Sequence, residues 1–232
     1  MAAAWQSVIG STSWRRAPSS VRVLPVVHAV TSDEIIARPG FIDLACAVMG
    51  VLGARGALHL RAGRASGARL QELGESLVAA QAVTGAWLVV NDRVDLALAV
   101  GARGAQLTSH SLVMADARRA GPSLRLGASV HDLAEGVEAS ESGADWLVAG
   151  RVLAASLDGD ASHEGGMAFV ESLVAATTAP VLAIGGVLPR HCRALRLAGV
   201  HGVAVIRGIW DASNAERAAS DYLSCYDDAG VV

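Results

Sequence analysis

Short apolar runs alternate with longer stretches of mixed polarity through most of the chain. The runs fall at 24–30, 57–61, 87–90, 104–107, 124–130, 145–149, 180–184 and 203–206 and are rich in Val, Leu and Ala. Apolar runs this short, bounded by polar or Gly-containing segments, predict buried β-strands. Between them lie segments with apolar residues every three or four positions, such as "ARLQELGESLVAAQAV" (68–83) and "GGMAFVESLVAATT" (165–178). That period predicts amphipathic helices. The most continuous apolar stretch, "FIDLACAVMGVLGA" (41–54), is interrupted by Asp43 and is too short to span a bilayer, so a buried helix is expected there.

The helix-to-strand junctions repeat. "VLGARGALHL" (51–60) and "AVGARGAQLT" (99–108) are nearly the same, and "ESGADWLVAG" (141–150) and "LAGVHGVAVI" (197–206) are looser copies. Each places a Gly (Gly53, Gly101, Gly143, Gly199) where a helical pattern stops, shortly before an apolar run. Gly just past a helix adopts the left-handed cap that most residues avoid. Repeated helix–Gly–strand units with eight strands predict an α/β fold, a (β/α)8 TIM barrel, at the small end of its size range. An open doubly wound sheet is the alternative, but "HAVTSDEIIA" (28–37) lacks the Gly-rich first turn of that fold. The barrel is expected over 23–224, with 1–22 a disordered or flexible N-terminal extension and 225–232 a C-terminal tail. The extension carries Ser and Arg but no acid, a transit-peptide composition without a convincing amphipathic period.

Composition narrows the chemistry. With 52% hydrophobic and 18% charged residues, a large core is expected. The net charge of -3, without a basic block, argues against nucleic acid as a partner. All 19 basic residues are Arg, which removes Schiff-base lysines and the P-loop lysine together. The three cysteines, Cys46, Cys192 and Cys225, show no C-x-x-C spacing. They point to a reducing, cytoplasmic setting without disulfide framework or zinc site, and no segment predicts a membrane partner.

In a TIM barrel the loops after the strands build the active site, while the opposite face serves stability. "WLVVNDRVDLALAVG" (87–101) places Asn91, Asp92 and Arg93 at such a strand-to-helix junction. The trio is expected to cap the helix and also to face a ligand. "APVLAIGGVLPRHCRAL" (179–195) and "GVAVIRGIW" (202–210) supply Gly185, Gly186, Ile206 and Arg207 after strands 7 and 8. Loops in that position often cradle a phosphate through backbone N–H groups.

These segments, with "HAVT" (28–31), "LHLRAG" (58–63) and "GASVHDLAEGVEASESGADWLVAGRV" (127–152), resemble the thiamine phosphate synthase / TenI superfamily in unbroken order. The synthase branch joins a pyrimidine diphosphate to a thiazole phosphate with Mg2+, releasing pyrophosphate. The resemblance assigns Arg61 to the pyrophosphate, Asn91 to the pyrimidine, Asp92 to the metal and Ser129 to the ligand. Three departures count against that reaction. Gly63 stands where a basic residue is expected, Ser111 where a second metal-binding carboxylate is expected, and Ala155, Ser156, Leu157 and Asp158 replace the pyrophosphate loop.

The TenI branch also lacks the second acid, and its "QLPSGS"-type segment resembles "QLTSHS" here (106–111). Its members are associated with thiazole tautomerisation, which needs no metal, no cofactor and no leaving group. The expectation is therefore a thiamine-biosynthesis isomerase that aromatises a small phosphorylated heterocycle, a carboxythiazole phosphate. A thiamine phosphate synthase and a non-catalytic thiazole phosphate-binding regulator are the alternatives. The branch's catalytic His is replaced by Arg151, which stays protonated but can hold a carboxylate. His110, His163 and Asp92 are the alternative acid/base candidates, since a tautomerase needs one group that both takes and gives a proton. His28 and His59 lie in strands with core packing or ligand lining equally open, and His131 is expected to cap a helix. Related barrels often self-associate, which leaves a homo-oligomer open.

Overall fold

A computed structural model describes residues 23–153 and 166–227. Eight parallel strands close into a barrel in chain order. They are β1 (Val27–Val30), β2 (Gly56–Leu60), β3 (Trp87–Asn91), β4 (Gly104–Leu107), β5 (Arg125–Val130), β6 (Trp146–Ala149), β7 (Val181–Ile184) and β8 (Gly202–Val205). Pairing of β1 with β8 through Val27↔Val203 and His28↔Ala204 closes the ring. Every apolar run becomes a strand, so the fold is the expected (β/α)8 TIM barrel. The first run is trimmed, because strand pairing starts only at Val27.

Helices surround the barrel, among them Phe41–Leu52, Gly67–Thr84, Leu133–Glu141, Met167–Ala176 and Ala215–Asp227. The longest shows how local sequence sets its limits. Ser66 accepts a hydrogen bond from the Arg69 backbone N–H at 3.2 Å, satisfying one orphan donor at the start. Leu70, Leu73, Leu77 and Ala80 form the buried stripe, and Gly85 ends the helix at φ 79°. At the repeated junctions Gly53, Gly101, Gly143 and Gly199 all have positive φ, as the repeat predicts. No described helix is long and apolar enough to cross a membrane.

Alternation along each strand separates two cores. Outward residues pack against the helices, while Val30, Ala57, Trp87, Val89, Trp146, Val148, Leu182 and Ala204 fill the barrel interior. The fully buried Trp146 indole is among the largest interior side chains and occupies the room that Gly127 leaves. A Cβ added at Gly127 would stand 2.1 Å from Trp146 Cε2 and 2.3 Å from Gln106 Oε1. The small residue on β5 and the large one on β6 sit opposite each other in register.

Gly127→Ala is therefore expected to destabilise the barrel by about 3 kcal/mol, the upper range for forced overpacking. Gly143→Ala, whose Cβ meets nothing within 4 Å, should cost only about 1 kcal/mol through its positive φ. Urea unfolding of both variants checks this, and equal losses would contradict the packing account.

Candidate functional site

The C-terminal ends of the strands surround a cavity of about 530 Å³, and each of the eight contributes to its wall. A hollow of about 600 Å³ beside residues 33–43 is larger. Its arginines are committed elsewhere: Arg38 pairs with Asp211, Arg64 with Glu34 and Arg69 with Glu72. At the barrel mouth polar side chains from several strands converge on one space, among them Arg61, Asn91, Asp92, Gln106 and Ser129.

Of the residues expected at the site, Arg61, Asn91, Asp92, His110, Ser129 and Ile206 line this cavity. Thr31 positions Arg61: its hydroxyl donates to the Arg61 carbonyl at 3.0 Å and accepts from the Arg61 N–H at 2.9 Å. Among the described residues none pairs with the Arg61 guanidinium. Gly63 lines the wall too, and its N–H donates to Asp33 Oδ2 at 3.0 Å. Arg64, one residue further on, turns to Asp33 and Glu34 instead of to the cavity.

The trio after β3 does not cap the next helix with a side chain. Arg93 holds the cap position of Val94–Val100 without a side-chain cap bond, and its guanidinium pairs with Asp95 at 2.6 Å. Asp92 has φ 63°, an uncommon conformation for a residue with a side chain. Three bonds hold it there. Its N–H donates to the Gln106 carbonyl at 2.9 Å, Ser111 Oγ donates to Oδ1 at 2.6 Å, and Thr108 Oγ1 donates to the same oxygen. The Ser111 that replaces a carboxylate thus grips the carboxylate that remains. His131 is corrected in the same way: Asp132 is the cap, accepting from the Glu135 N–H at 2.8 Å, while the His131 N–H donates to Glu135 Oε2 at 2.7 Å.

Beneath the cavity two hydrogen-bonded chains run through the barrel. In one, His28 Nε2 meets the Pro25 carbonyl at 3.1 Å, His28 Nδ1 meets His59 Nε2 at 2.8 Å, and His59 Nδ1 meets Asn91 Oδ1 at 3.2 Å. In the other, Trp146 Nε1 donates to Gln106 Oε1 at 2.8 Å and Gln106 Nε2 donates to Ser129 Oγ at 3.0 Å. Burial lowers the His59 pKa to about 4, against a raising effect of its bond to Asn91. Burial, with His59 alongside, also takes His28 well below the usual histidine range. Both rings are neutral near pH 7.

Other candidates sit apart. Ile184 and Ile206 form the cavity wall at the expected phosphate end, while Gly185, Gly186 and Arg207 are their chain neighbours and not among its lining residues. Gly185, at φ 105°, lies backbone-to-backbone with Arg151, whose Cα would be 2.9 Å from an added Cβ. Arg151 is itself left-handed at φ 56°, exposed, and not among the lining residues, although Gly150 is. His163 and residues 155–158 lie outside the described residues. Sequence reading missed Thr31, Thr108 and Gln106. The available signal was polarity at inward positions of buried strands, which Gln106 shares with His28 and His59.

Two carboxylates line the cavity, but the Asp33 oxygens accept from the Gly63 and Arg64 backbone N–H groups, which leaves Asp92 for the Mg2+ implied by the synthase resemblance. Among the described residues no group of three or more His, Cys, Asp or Glu could cage a metal. Mg2+ commonly takes one or two carboxylates and completes its shell with substrate phosphates and water. Asp92 lines the cavity, and no described residue bonds its Oδ2, so the donor set fits a Mg2+ that arrives with a phosphorylated substrate.

A family model described as thiamine monophosphate synthase matches residues 28–209. The chain is 34% identical over 176 residues to the thiamine-phosphate synthase of Pyrococcus horikoshii, covering 76% of this chain and 84% of that protein. It is 33% identical over 202 residues to that of Methanoculleus marisnigri, covering 84% and 94%. A solved thiamine phosphate pyrophosphorylase from Pyrococcus furiosus superposes with a TM-score of 0.76 at 28% identity, over 90% of this chain and 98% of that one. These relatives overturn the expected TenI-like tautomerase, and the isomerase class with it, in favour of a transferase. The physical reason lies at Asp92. Counting protein carboxylates alone undervalues the site, because the substrate itself supplies much of the coordination of Mg2+.

The neutral buried histidines make stability depend on pH. Their folded pKa values lie below the unfolded value near 6.5, so the unfolded chain binds more protons as pH falls. Stability is full above about 6.5 and is lost between there and about 4, by about 3 kcal/mol for His59. Urea titrations across that window should show the loss, and His59→Gln should flatten it. An unchanged slope in that variant would contradict the assignment.

Proposed function

The chain belongs to the thiamine monophosphate synthase family, and we propose that it acts as a thiamine-phosphate synthase. It joins a thiazole phosphate to a pyrimidine diphosphate and releases pyrophosphate. The observation that carries this reading is the set Arg61, Asn91, Asp92 and Ser129 around one cavity, in a chain 33% identical over 202 residues to a protein of that name.

Each residue has a task in that reaction. Arg61, fixed through its backbone by Thr31, offers its guanidinium to the pyrophosphate, where a planar fork of N–H donors matches phosphate oxygens. Asn91 and Ser129 hold the pyrimidine from the cavity floor. Asp92, held by Thr108 and Ser111, carries the single carboxylate for Mg2+, which when bound neutralises charge on the departing group. The backbone beyond β7 and β8, with Gly185, Gly186, Ile206 and Arg207, takes the phosphate of the second heterocycle. As the bond to pyrophosphate breaks and the heterocycles join, negative charge gathers on the leaving oxygens, and the groups aimed there do most to lower the barrier. The free thiols Cys46, Cys192 and Cys225 suit a cytoplasmic enzyme.

Incubating the protein with both phosphorylated substrates and Mg2+ should release pyrophosphate in step with the coupled product. Chelation with EDTA should abolish turnover. Asp92→Asn and Arg61→Ala should each lower kcat/KM by about a hundredfold, the usual cost of removing one charge-stabilising group. No pyrophosphate at saturating substrate would sink the reading.

A further inference from the structure

The segments that follow β7 and β8 leave the cavity wall at Ile184 and Ile206 and come together again behind it. They meet at Tyr222, on the helix Ala215–Asp227. Its hydroxyl donates to the Val187 carbonyl at 2.9 Å, three residues beyond Ile184. The same oxygen lies against Gly208, two residues beyond Ile206, where an added Cβ would stand 2.3 Å from it. One phenol oxygen therefore serves both segments. Among the described residues no hydrogen bond joins 186–188 directly to 207–210.

Each segment is otherwise pinned within itself. After β7, the Gly185 carbonyl accepts from the Leu153 N–H at 3.0 Å, and the Leu188 N–H donates to His191 Nδ1 at 3.1 Å. After β8, the Ile209 and Trp210 N–H groups donate back to the Ile206 carbonyl at 3.1 Å. The Trp210 indole donates to the Val30 carbonyl at 2.8 Å. The Val187 carbonyl lies between the first pair of anchors, and Tyr222 supplies its only hydrogen bond among the described residues. Tyr222 does not line the cavity, so a carbonyl turned to it is turned from the space a phosphate would enter. The direction matters, because a carbonyl oxygen facing an anion repels it, whereas the N–H groups of such a loop attract it.

We propose that Tyr222 is a positioning residue: it turns the Val187 carbonyl away from the ligand and sets the spacing of the two segments that receive the phosphate of the second heterocycle. The phosphate's place there rests on the synthase reading; the coupling of the two segments through Tyr222 does not. The side chain is 1% exposed, so no water stands in for the hydroxyl once it is removed. Burial pushes its pKa up to about 12, which keeps the proton on the oxygen through neutral pH. Phenylalanine at this position keeps the ring and loses only the link.

Steady-state kinetics on the full chain, varying each substrate in turn, separates this role from a general one. Tyr222→Phe should raise KM for the thiazole phosphate about tenfold, the effect of leaving one buried carbonyl unpaired. KM for the pyrimidine diphosphate and kcat should each stay within about twofold, as for binding lost at one subsite. Equal shifts in both KM values, or none, would overturn the proposal. Gly208→Ala tests the spacing from the other side, at a residue without positive φ. It should raise the same KM about tenfold, and Gly208→Ala/Tyr222→Phe should do no more than either alone, since methyl and hydroxyl compete for one space. Effects that multiply would show that the two residues act independently, and the coupling would be lost. Should the parent release no pyrophosphate, the synthase reading fails and amide hydrogen exchange decides the coupling. Tyr222→Phe should then speed exchange at both 186–188 and 207–210 while the barrel strands keep their rates. A change confined to one segment, or no change, would sink the proposal on its own.

Discussion

The barrel interior holds polar groups that water cannot reach, and their need for partners shapes everything above them. Trp146, His28 and His59 are each buried within the ring of strands. A buried N–H or ring nitrogen left without a partner costs more than the hydrogen bond it replaces is worth, so each must be satisfied from inside. The fold does this by threading bonds upward, from Pro25 through the histidines to Asn91 and from the indole through Gln106 to Ser129. Packing makes the same demand from the other side, because the indole leaves no room for a Cβ at Gly127.

Core and site are therefore one piece of structure. Asn91 and Ser129, which end the two buried chains, both line the cavity, so its floor is fixed by the core beneath it. Preorganisation of this kind stabilises developing charge and bound heterocycles without reorganisation at the moment of binding. Asp92 completes the rim under a similar constraint. Its left-handed backbone persists because the Gln106 carbonyl holds its N–H while Thr108 and Ser111 both hold Oδ1. Such local strain is found where surroundings over-determine a conformation, commonly at functional sites.

Ser111 illustrates how a substitution misleads when read in isolation. Exchanging a metal-binding acid for a hydroxyl suggests lost metal chemistry, and the tautomerase expectation grew from that inference together with Gly63 and the changed residues 155–158. In the fold the hydroxyl orients the surviving carboxylate at 2.6 Å. The relatives named thiamine-phosphate synthase, matched along most of the barrel, carry more weight than a count of absent ligands.

The eight strands, the helices between them and the Gly-terminated junctions were legible in the chain because they depend on local periodicity and backbone preference. The face of the site was legible as well, since a parallel barrel puts every strand end on one side. Asn91, Asp92, Arg61 and Ser129 lie at or just past the C-terminal ends of strands and could be named from their place in the pattern. Residues far apart in the chain had to be brought together before the rest appeared. Thr31 grips Arg61 across 30 positions, His28 meets His59 across 31, and Gln106 reaches Trp146 across 40. Local sequence determined which groups stand at the strand ends; tertiary packing decided their partners, because a buried hydrogen bond is specified by both of its ends.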